Sequence, residues 1–437
     1  MSLFSRLPED VVQYVWATLQ FDLQDLRSTE GHPVRILRQG LLNRNQGPDF
    51  QDARIKISGM EWIGQVEIHV ETQDWYRHRH EQDPAYNAVI LHVVLHSSGR
   101  PVLRQDGSQI PELELHGRIP PGLLDRYAQL QLAPDGIPCA ALIRQVLPLH
   151  RDAWIQRLAI ERVEMKAAAL RARMSGAVPA WEQVLWEELA AQMGGPVNAE
   201  VFRMLARRAP AALVKRVAHL PLAGEAWLLG AAGLLQRPGG DAHLEALAAE
   251  WAHLQHKYQL APAPPVLLSF LRMRPAAFPT LRLAQLAALI RAFPELIRLL
   301  SLEGMEALIS REVRASPYWE RHYRPGEPVR RGAPALGAAQ KQILLVNVLV
   351  PAAWLYGQAH GRMLPEAGTE QLLERLPPEH NRHTRPFEAL GLPNPRALES
   401  QGLIQLHKHY CTARRCLECG IGHQILKRQP EEGAETA

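Results

Sequence analysis

The chain has 437 residues, 46% of them apolar and 22% charged. That is more than one hydrophobic core usually serves, so two or three domains are expected, and the near-average composition excludes a mostly disordered chain. A formal charge of +4 is too small to mark a nucleic-acid binder by itself, so any such partner rests on local clusters.

In chain order, Pro8 suits a helix start, and Val11, Val12, Val15, Trp16 and Leu19 follow at helical spacing. Short Val- and Ile-rich runs at Val34–Leu37, Ala53–Ile57, Trp62–Val70 and Ala88–His96 are bounded by turn residues and read as strands. Val102–Arg104 and Leu113–Leu115 around Asp106-Gly107 read as a hairpin. From His150 onward Ala, Leu, Glu and Arg dominate. Helices are expected at Arg151–Met174, Trp181–Met193, from an Asn198 cap to Arg208, and at Glu225–Leu235, Ala242–Tyr258 and Thr280–Phe293. No repeat period emerges, which argues against a solenoid.

The fold class is therefore α+β, a small mixed sheet with helices followed by a large all-helical region. The expected divisions are residues 1–118, a helical domain over 119–315, a Pro-, Gly- and Arg-rich linker or long loop at 316–334, a helical segment over 335–428, and a disordered acidic tail at 429–437. The start lacks a basic segment followed by an apolar run. The longest apolar stretch, Ile343 to Trp354, is interrupted by Asn347 and Pro351, so neither a signal peptide nor a membrane span is expected. Four cysteines, three of them between Cys411 and Cys419, do not make a disulfide framework, and a cytoplasmic, reducing compartment fits them.

The constellation with most chemistry is Gly47-Pro48-Asp49-Phe50 followed by Glu67-Ile68-His69. On a strand Glu67 and His69 share one face, while Val66, Ile68 and Val70 face the core. With Asp49 at the end of a neighbouring strand, two carboxylates would meet on one divalent cation, Mg²⁺ or Mn²⁺, and a scissile phosphate would complete its oxygen shell. His92 and His96 share a face and would approach the same pocket. With His69, His78 and His80 they suit a Zn²⁺ or Mn²⁺ site as well as polar hydrogen bonding at a sheet surface.

The order helix, strand, Pro-Asp, strand, Glu-X-His, helix, strand resembles the PD-(D/E)XK nuclease superfamily. The resemblance implies a phosphodiesterase acting on DNA or RNA, with Asp49 and Glu67 on the metal. His69 stands where that family has lysine, and either His69 or Lys56 on the preceding strand would position the water. Asp74-Trp75-Tyr76-Arg77-His78-Arg79-His80 is similar to the Trp-His segment of the very-short-patch-repair endonucleases. The longer pattern, from Gly47-Pro48-Asp49-Phe50 through Val66-Glu67-Ile68-His69 and Asp74-Trp75 to Leu91-His92-Val93-Val94, with Arg272-Met273-Arg274-Pro275, Phe278-Pro279-Thr280 and the terminal cysteines, resembles an uncharacterised bacterial family of unknown function. Two other readings stay open: a catalytically silent nucleic-acid or protein interaction module, and a His/carboxylate metallohydrolase of a small molecule.

Cys411, Cys416 and Cys419 would hold Zn²⁺ with a histidine, or an iron–sulfur cluster with Cys139 as fourth ligand; the alternative is reduced thiols on a terminal helix. Iron–sulfur nucleases of the superfamily carry their lone cysteine before the nuclease core, whereas Cys139 follows it. Arg272, Arg274, Arg321 and Arg324 with Trp319 would grip phosphates and stack a base of a single strand; the plainer reading is solvated basic faces of a helix bundle.

Overall fold

A computed structural model describes residues 8–120, 122–134, 136–174, 180–236, 239–260, 266–361 and 366–427; the tail expected at 429–437 lies outside them. The fold is α+β. The chain forms two compact units. One comprises Met1–Trp154, Arg385–Leu392 and Leu406–Ala437, and the other Ile155–Thr384 and Pro393–Gln405. Composition placed the first break near residue 118 and did not foresee that the C-terminal segment belongs with the N-terminal unit.

In the first unit, helix α1 (Glu9–Thr18) buries Val11, Val12, Tyr14, Val15 and Trp16 and packs across the sheet at β4. Strands β1 (Val34–Arg38), β2 (Leu41–Leu42), β3 (Phe50–Ile57) and β4 (Met60–Glu71) precede the short helix α2 (Asp74–Arg77). Strands β5 (Val89–His96), β6 (Val102–Leu103), β7 (Gln109–Ile110) and β8 (Glu112–Glu114) and helix α3 (Leu123–Leu132) follow. The sheet runs β1-β3-β4-β5-β8, with β2 paired to β3. Pairings β1/β3 and β3/β4 are antiparallel, whereas β4/β5 and β5/β8 are parallel. The parallel step requires a crossover, which α2 and two single 3₁₀ turns supply. Seven of the eight residues of β5 are buried, as expected of a strand flanked on both sides.

Two features of the sheet position the site. The β3/β4 register shifts between Phe50 and Ala53, where Asp52 has φ +56°; this bulge lies three residues from Asp49 and re-aims the strand entry. In β4, Val66 to His69 are all buried. Alternate residues face opposite sides, so the sheet encloses Glu67 and His69 on one face and Val66 and Ile68 on the other.

The hairpin forms differently from the expectation. Val102–Leu103 pairs with Gln109–Ile110, while Leu113 lies in β8, parallel to β5. Two turn-flanked runs followed Asp106-Gly107, and the nearer one closed the hairpin.

The second unit is helical. The break expected at Gly194-Gly195 is present: Gly195 (φ 63°, ψ −172°) and Pro196 interrupt the helical span Trp181–Arg208. Asn198 is not a cap but a buried side chain, bonded through both amide atoms to Ser269. The expected linker at 316–334 is packed structure, with a 3₁₀ turn at Pro317–Glu320 and a hairpin of His322–Arg324 with Glu327–Pro328. The apolar stretch near Ile343 extends into a continuous helical run, Ala338–His360, long and apolar enough to cross a membrane. Of its most apolar 18-residue window 67% is buried in the protein, and the run contributes Leu344, Leu345, Leu349 and Val350 to the core of the unit.

Candidate metal centre

Asp49 enters β3 after Pro48, and Glu67 lies on the adjoining β4. The two brace each other: the Asp49 backbone N–H donates to Glu67 Oε2 at 3.0 Å, and the N–H of Ile68 donates to Asp49 Oδ2 at 3.0 Å. From α1, the Gln13 amide donates to Asp49 Oδ1 at 2.9 Å and to Glu9 Oε1 at 3.0 Å. One helix turn thus brings a third carboxylate to the group. Burial raises all three acids above the usual carboxylate range, and repulsion by neighbouring carboxylates adds to it for Glu9 and Asp49. Glu9 reaches about 7, with Asp49 and Glu67 as the next causes. Asp49 is raised by burial and by Glu67, against the hydrogen bonds from Ile68 and Gln13. Glu67 is raised by burial, against the bond from Asp49.

Beside the acids lies a cluster of imidazoles. His80 Nε2 is 3.3 Å and His69 Nε2 3.6 Å from Glu67 Oε1, and His69 Nε2 is 3.2 Å from His78 Nδ1. The donor atoms of His69, His78 and His80 all lie within 4.8 Å of one another. On its far side His69 Nδ1 meets His92 Nε2 at 2.8 Å, and His92 Nδ1 meets Glu112 Oε2 at 3.0 Å. A carboxylate only accepts, so His92 donates from Nδ1, accepts at Nε2 from His69 Nδ1–H, and leaves the His69 Nε2 lone pair facing Glu67 and His78. Thr72 Oγ1 fixes Glu112 with a bond of 3.1 Å. Burial and the neighbouring imidazoles push His69 far below the ordinary histidine range, and burial lowers His78 and His80. These are neutral rings, the form in which imidazole binds metal.

Trp75 has no exposed surface. Its ring backs both His80 and His92, with centroids 5.3 and 5.4 Å away, and Tyr86 stacks on His80 at 3.8 Å. Packing therefore holds the imidazoles in place.

Of the sequence candidates, Asp49, Glu67 and His69 converge. Lys56 does not join them. It is exposed and pairs in register with Glu61, about 20 Å along β3 from Phe50 at the rise of an extended strand. His92 reaches the site from behind His69, but His96 lies against His116, with ring centroids 4.7 Å apart. Trp319 cannot stack a base, because it is fully buried and its indole donates to Glu225 Oε1 at 2.7 Å. Arg324 sits over Phe270 and Phe278 at 4.3 and 5.0 Å, while Arg272, Arg274 and Arg321 are exposed; these four and Trp319 belong to the second unit. Cys139, Cys411, Cys416 and Cys419 are buried free thiols of the first unit.

Glu9, Gln13 and Glu112 were missed. No motif marks them, and only the pairing of α1 and β8 with the central strands brings them in.

No curated protein and no solved structure matches the chain. A family model described as a protein of unknown function matches residues 9–382, a span that includes the carboxylates, the imidazoles and Cys139 but ends before Cys411. The chain belongs to this uncharacterised family, DUF2851.

Proposed function

We propose that the first unit is a metal-dependent phosphodiesterase centre of the nuclease type. The observation that carries this reading is the Asp49–Glu67 pair, a half-buried and a buried carboxylate that each accept a backbone N–H from the other's segment beside a neutral His69. Two such acids held together cost free energy unless a cation or a proton joins them. The order α1, four antiparallel strands β1 to β4, α2 and the parallel β5, with Pro48-Asp49 entering β3 and Glu67-Ile68-His69 on β4, supports the nuclease resemblance.

The donors present fit a divalent cation. Mixed carboxylate and imidazole ligands suit Mn²⁺ or Zn²⁺ better than Mg²⁺, which prefers oxygen throughout. When bound, such an ion polarises a phosphoryl oxygen and acidifies water. The chain's own part is orientation and proton handling. The Glu112–His92 relay keeps the His69 Nε2 lone pair directed at the carboxylates, where it would accept a hydrogen bond from the attacking water and orient it in place of a lysine-held arrangement. A cleft of about 900 Å³, lined by Asp10, Gln13, Arg44, Arg415 and Glu418 among others, adjoins this site through Gln13; Arg44 and Arg415 both pair there with Glu418, at 2.9 and 2.6 Å, so a phosphate backbone would compete with that carboxylate for them.

A second reading, a metallohydrolase of a small molecule, draws on the three converging imidazoles. Calorimetry with Mn²⁺, followed by cleavage assays on single- and double-stranded DNA and RNA with and without the ion, separates the two. Mn²⁺-dependent cleavage that Asp49→Asn abolishes supports the nuclease. Mn²⁺ binding with turnover of small phosphate or carboxylate esters alone supports the second reading. Salt-sensitive nucleic-acid binding without cleavage would indicate the silent module, and no affinity for Mn²⁺ or Zn²⁺ at millimolar concentration would end all metal readings of this site.

A further inference from the structure

The sheet of the first unit carries a group of cations that the acid site does not use. In the register of β1, β3 and β4, Arg35 stands opposite Lys56 and Lys56 opposite Glu61; in the next row Arg38 stands opposite Arg54 and Arg54 opposite Ile63. Directly opposed side chains point to the same face. The four cations therefore form two adjacent rows, with neighbours about 5 Å apart across the strands and about 7 Å apart along them. All four are exposed. Glu61 is the one acid in these rows, and Arg54 holds it through Nε and Nη2. Even with Asp52 at the bulge counted, cations outnumber acids by four to two.

This face is also the one that holds Glu67 and His69. Both register shifts of β4 place the extra residue in its partner: from Phe50 to Ala53 β3 advances three residues against two in β4, and from Val89 to Leu91 β5 advances two against one. β4 itself alternates without a break, so Glu61, Ile63, Glu67 and His69 lie on one side of the sheet. Measured along β4 at the rise of an extended strand, the row at Ile63 lies about 13 Å from Glu67 and the row at Glu61 about 20 Å. In a duplex those lengths correspond to about four and six base pairs.

A plain solvated surface intersperses its charges, whereas here like charges oppose each other in two successive register pairs, an arrangement that destabilises a sheet. A chain of anions lying across the rows removes that repulsion. Met60 and Trp62 are exposed as well but alternate to the opposite face. Within the two rows Ile63 is the one apolar side chain, which fits a phosphate backbone better than a lipid surface. We propose that Arg35, Arg38, Arg54 and Lys56 bind the phosphate backbone of a nucleic acid whose scissile bond lies at the Asp49–Glu67 centre. The proposal rests on the nuclease reading and deepens it: the substrate is a polymer gripped at a distance from the reacting phosphate, and a small ester would gain nothing from this face. Contacts of this kind position a strand without reading its sequence.

The test measures binding of the full chain to labelled duplex and single-stranded DNA and RNA, with chelator present so that nothing is cleaved, between about 50 and 200 mM salt. Each phosphate contact on a duplex contributes about −0.9 to the slope of log affinity against log salt. Arg35→Ala/Arg38→Ala takes one cation from each row and should flatten the slope by about one to two units, so that the fall in affinity over this range shrinks by up to about tenfold. Arg35→Lys/Arg38→Lys should keep the wild-type slope, because counterion release counts charges. A folded alanine variant with the wild-type slope overturns the proposal, as does a wild type with no affinity for any of these probes. Binding to phosphatidylglycerol vesicles without binding to nucleic acid would give the face to lipid and overturn it too. Cleavage with Mn²⁺ is scored separately. Binding that follows the two arginines without cleavage leaves this surface standing while the hydrolytic reading fails, and cleavage by an alanine variant of unchanged slope does the reverse.

Discussion

Replacing Glu67 by Gln removes one charge from the acid cluster while leaving a carbonyl oxygen to accept the Asp49 N–H. Burial pushes the Glu67 carboxyl from 4.5 to about 8. A carboxylate whose folded value is raised destabilises the folded state as pH climbs from the unfolded value through the folded one, so the cost is absent at pH 4 and complete by pH 8. At about 1.4 kcal/mol for each tenfold change in proton affinity, the undiscounted cost at pH 8 is on the order of 4 kcal/mol. Asp49 and Glu67 share much of it, and water reaches their outer edge, so about 2 kcal/mol is expected in practice. Metal-free Glu67→Gln should therefore be more stable than wild type by about 2 kcal/mol at pH 8 and nearly equal to it at pH 4. Mn²⁺ reverses the order, because an ion at a hundred times its dissociation constant stabilises wild type by about 2.7 kcal/mol and the variant by almost nothing. Urea denaturation at both pH values, with chelator and with Mn²⁺, measures all four numbers. A variant less stable than wild type at pH 8 without metal, or a wild type indifferent to millimolar Mn²⁺, would refute the reasoning.

Glu112→Gln frees His92 to present either tautomer and should weaken Mn²⁺ affinity roughly 10- to 100-fold, as loss of an outer hydrogen bond does elsewhere; calorimetry reads it directly. Lys56→Ala should leave Mn²⁺ binding unchanged, and a large loss would return Lys56 to the metal site. Trp319→Ala should cost about 3–5 kcal/mol of stability in a denaturant titration, because it empties a core position and strips the buried Glu225 of a donor. Its nucleic-acid affinity, measured on folded protein, should not change.

The central pair was legible in the sequence because strand alternation is local: Glu67 and His69 must share a face once Trp62–Val70 is a strand, and Pro48-Asp49 marks the entry to its neighbour. The helix break at Gly195-Pro196 was legible for the same reason, since backbone chemistry alone decides it. What failed depended on pairing at a distance. Lys56 looked like a stand-in for the missing lysine because it lies close to Asp49 in number, yet an extended strand carries it far away. Glu112 looked like an ordinary polar residue until β8 paired in parallel with β5. Trp319 sits among arginines in sequence and inside the core in space, because the segment that composition marked as a linker folds over Glu225. Nothing local in the sequence announced that the C-terminal segment returns to the N-terminal unit.

That return sets an order of events during synthesis. The unit holding the acids and imidazoles is interrupted by Ile155–Thr384 and completed only by segments beginning at Arg385, so a ribosome must deliver nearly the whole chain before the Tyr14–His423 hydrogen bond, spanning 409 residues, can form. Closing so large a loop from a disordered chain is slow and entropically costly. The helical unit has most of its chain in hand earlier; once folded, it replaces that loop with a compact body and greatly shortens the effective closure. Until then α1, with Glu9 and Gln13, lacks the hydrogen bond from Tyr14 to His423, and a chain stalled or clipped before residue 406 would leave α1 without it. Nascent chains are therefore expected to depend on chaperones longest for the unit whose segments lie farthest apart in the chain.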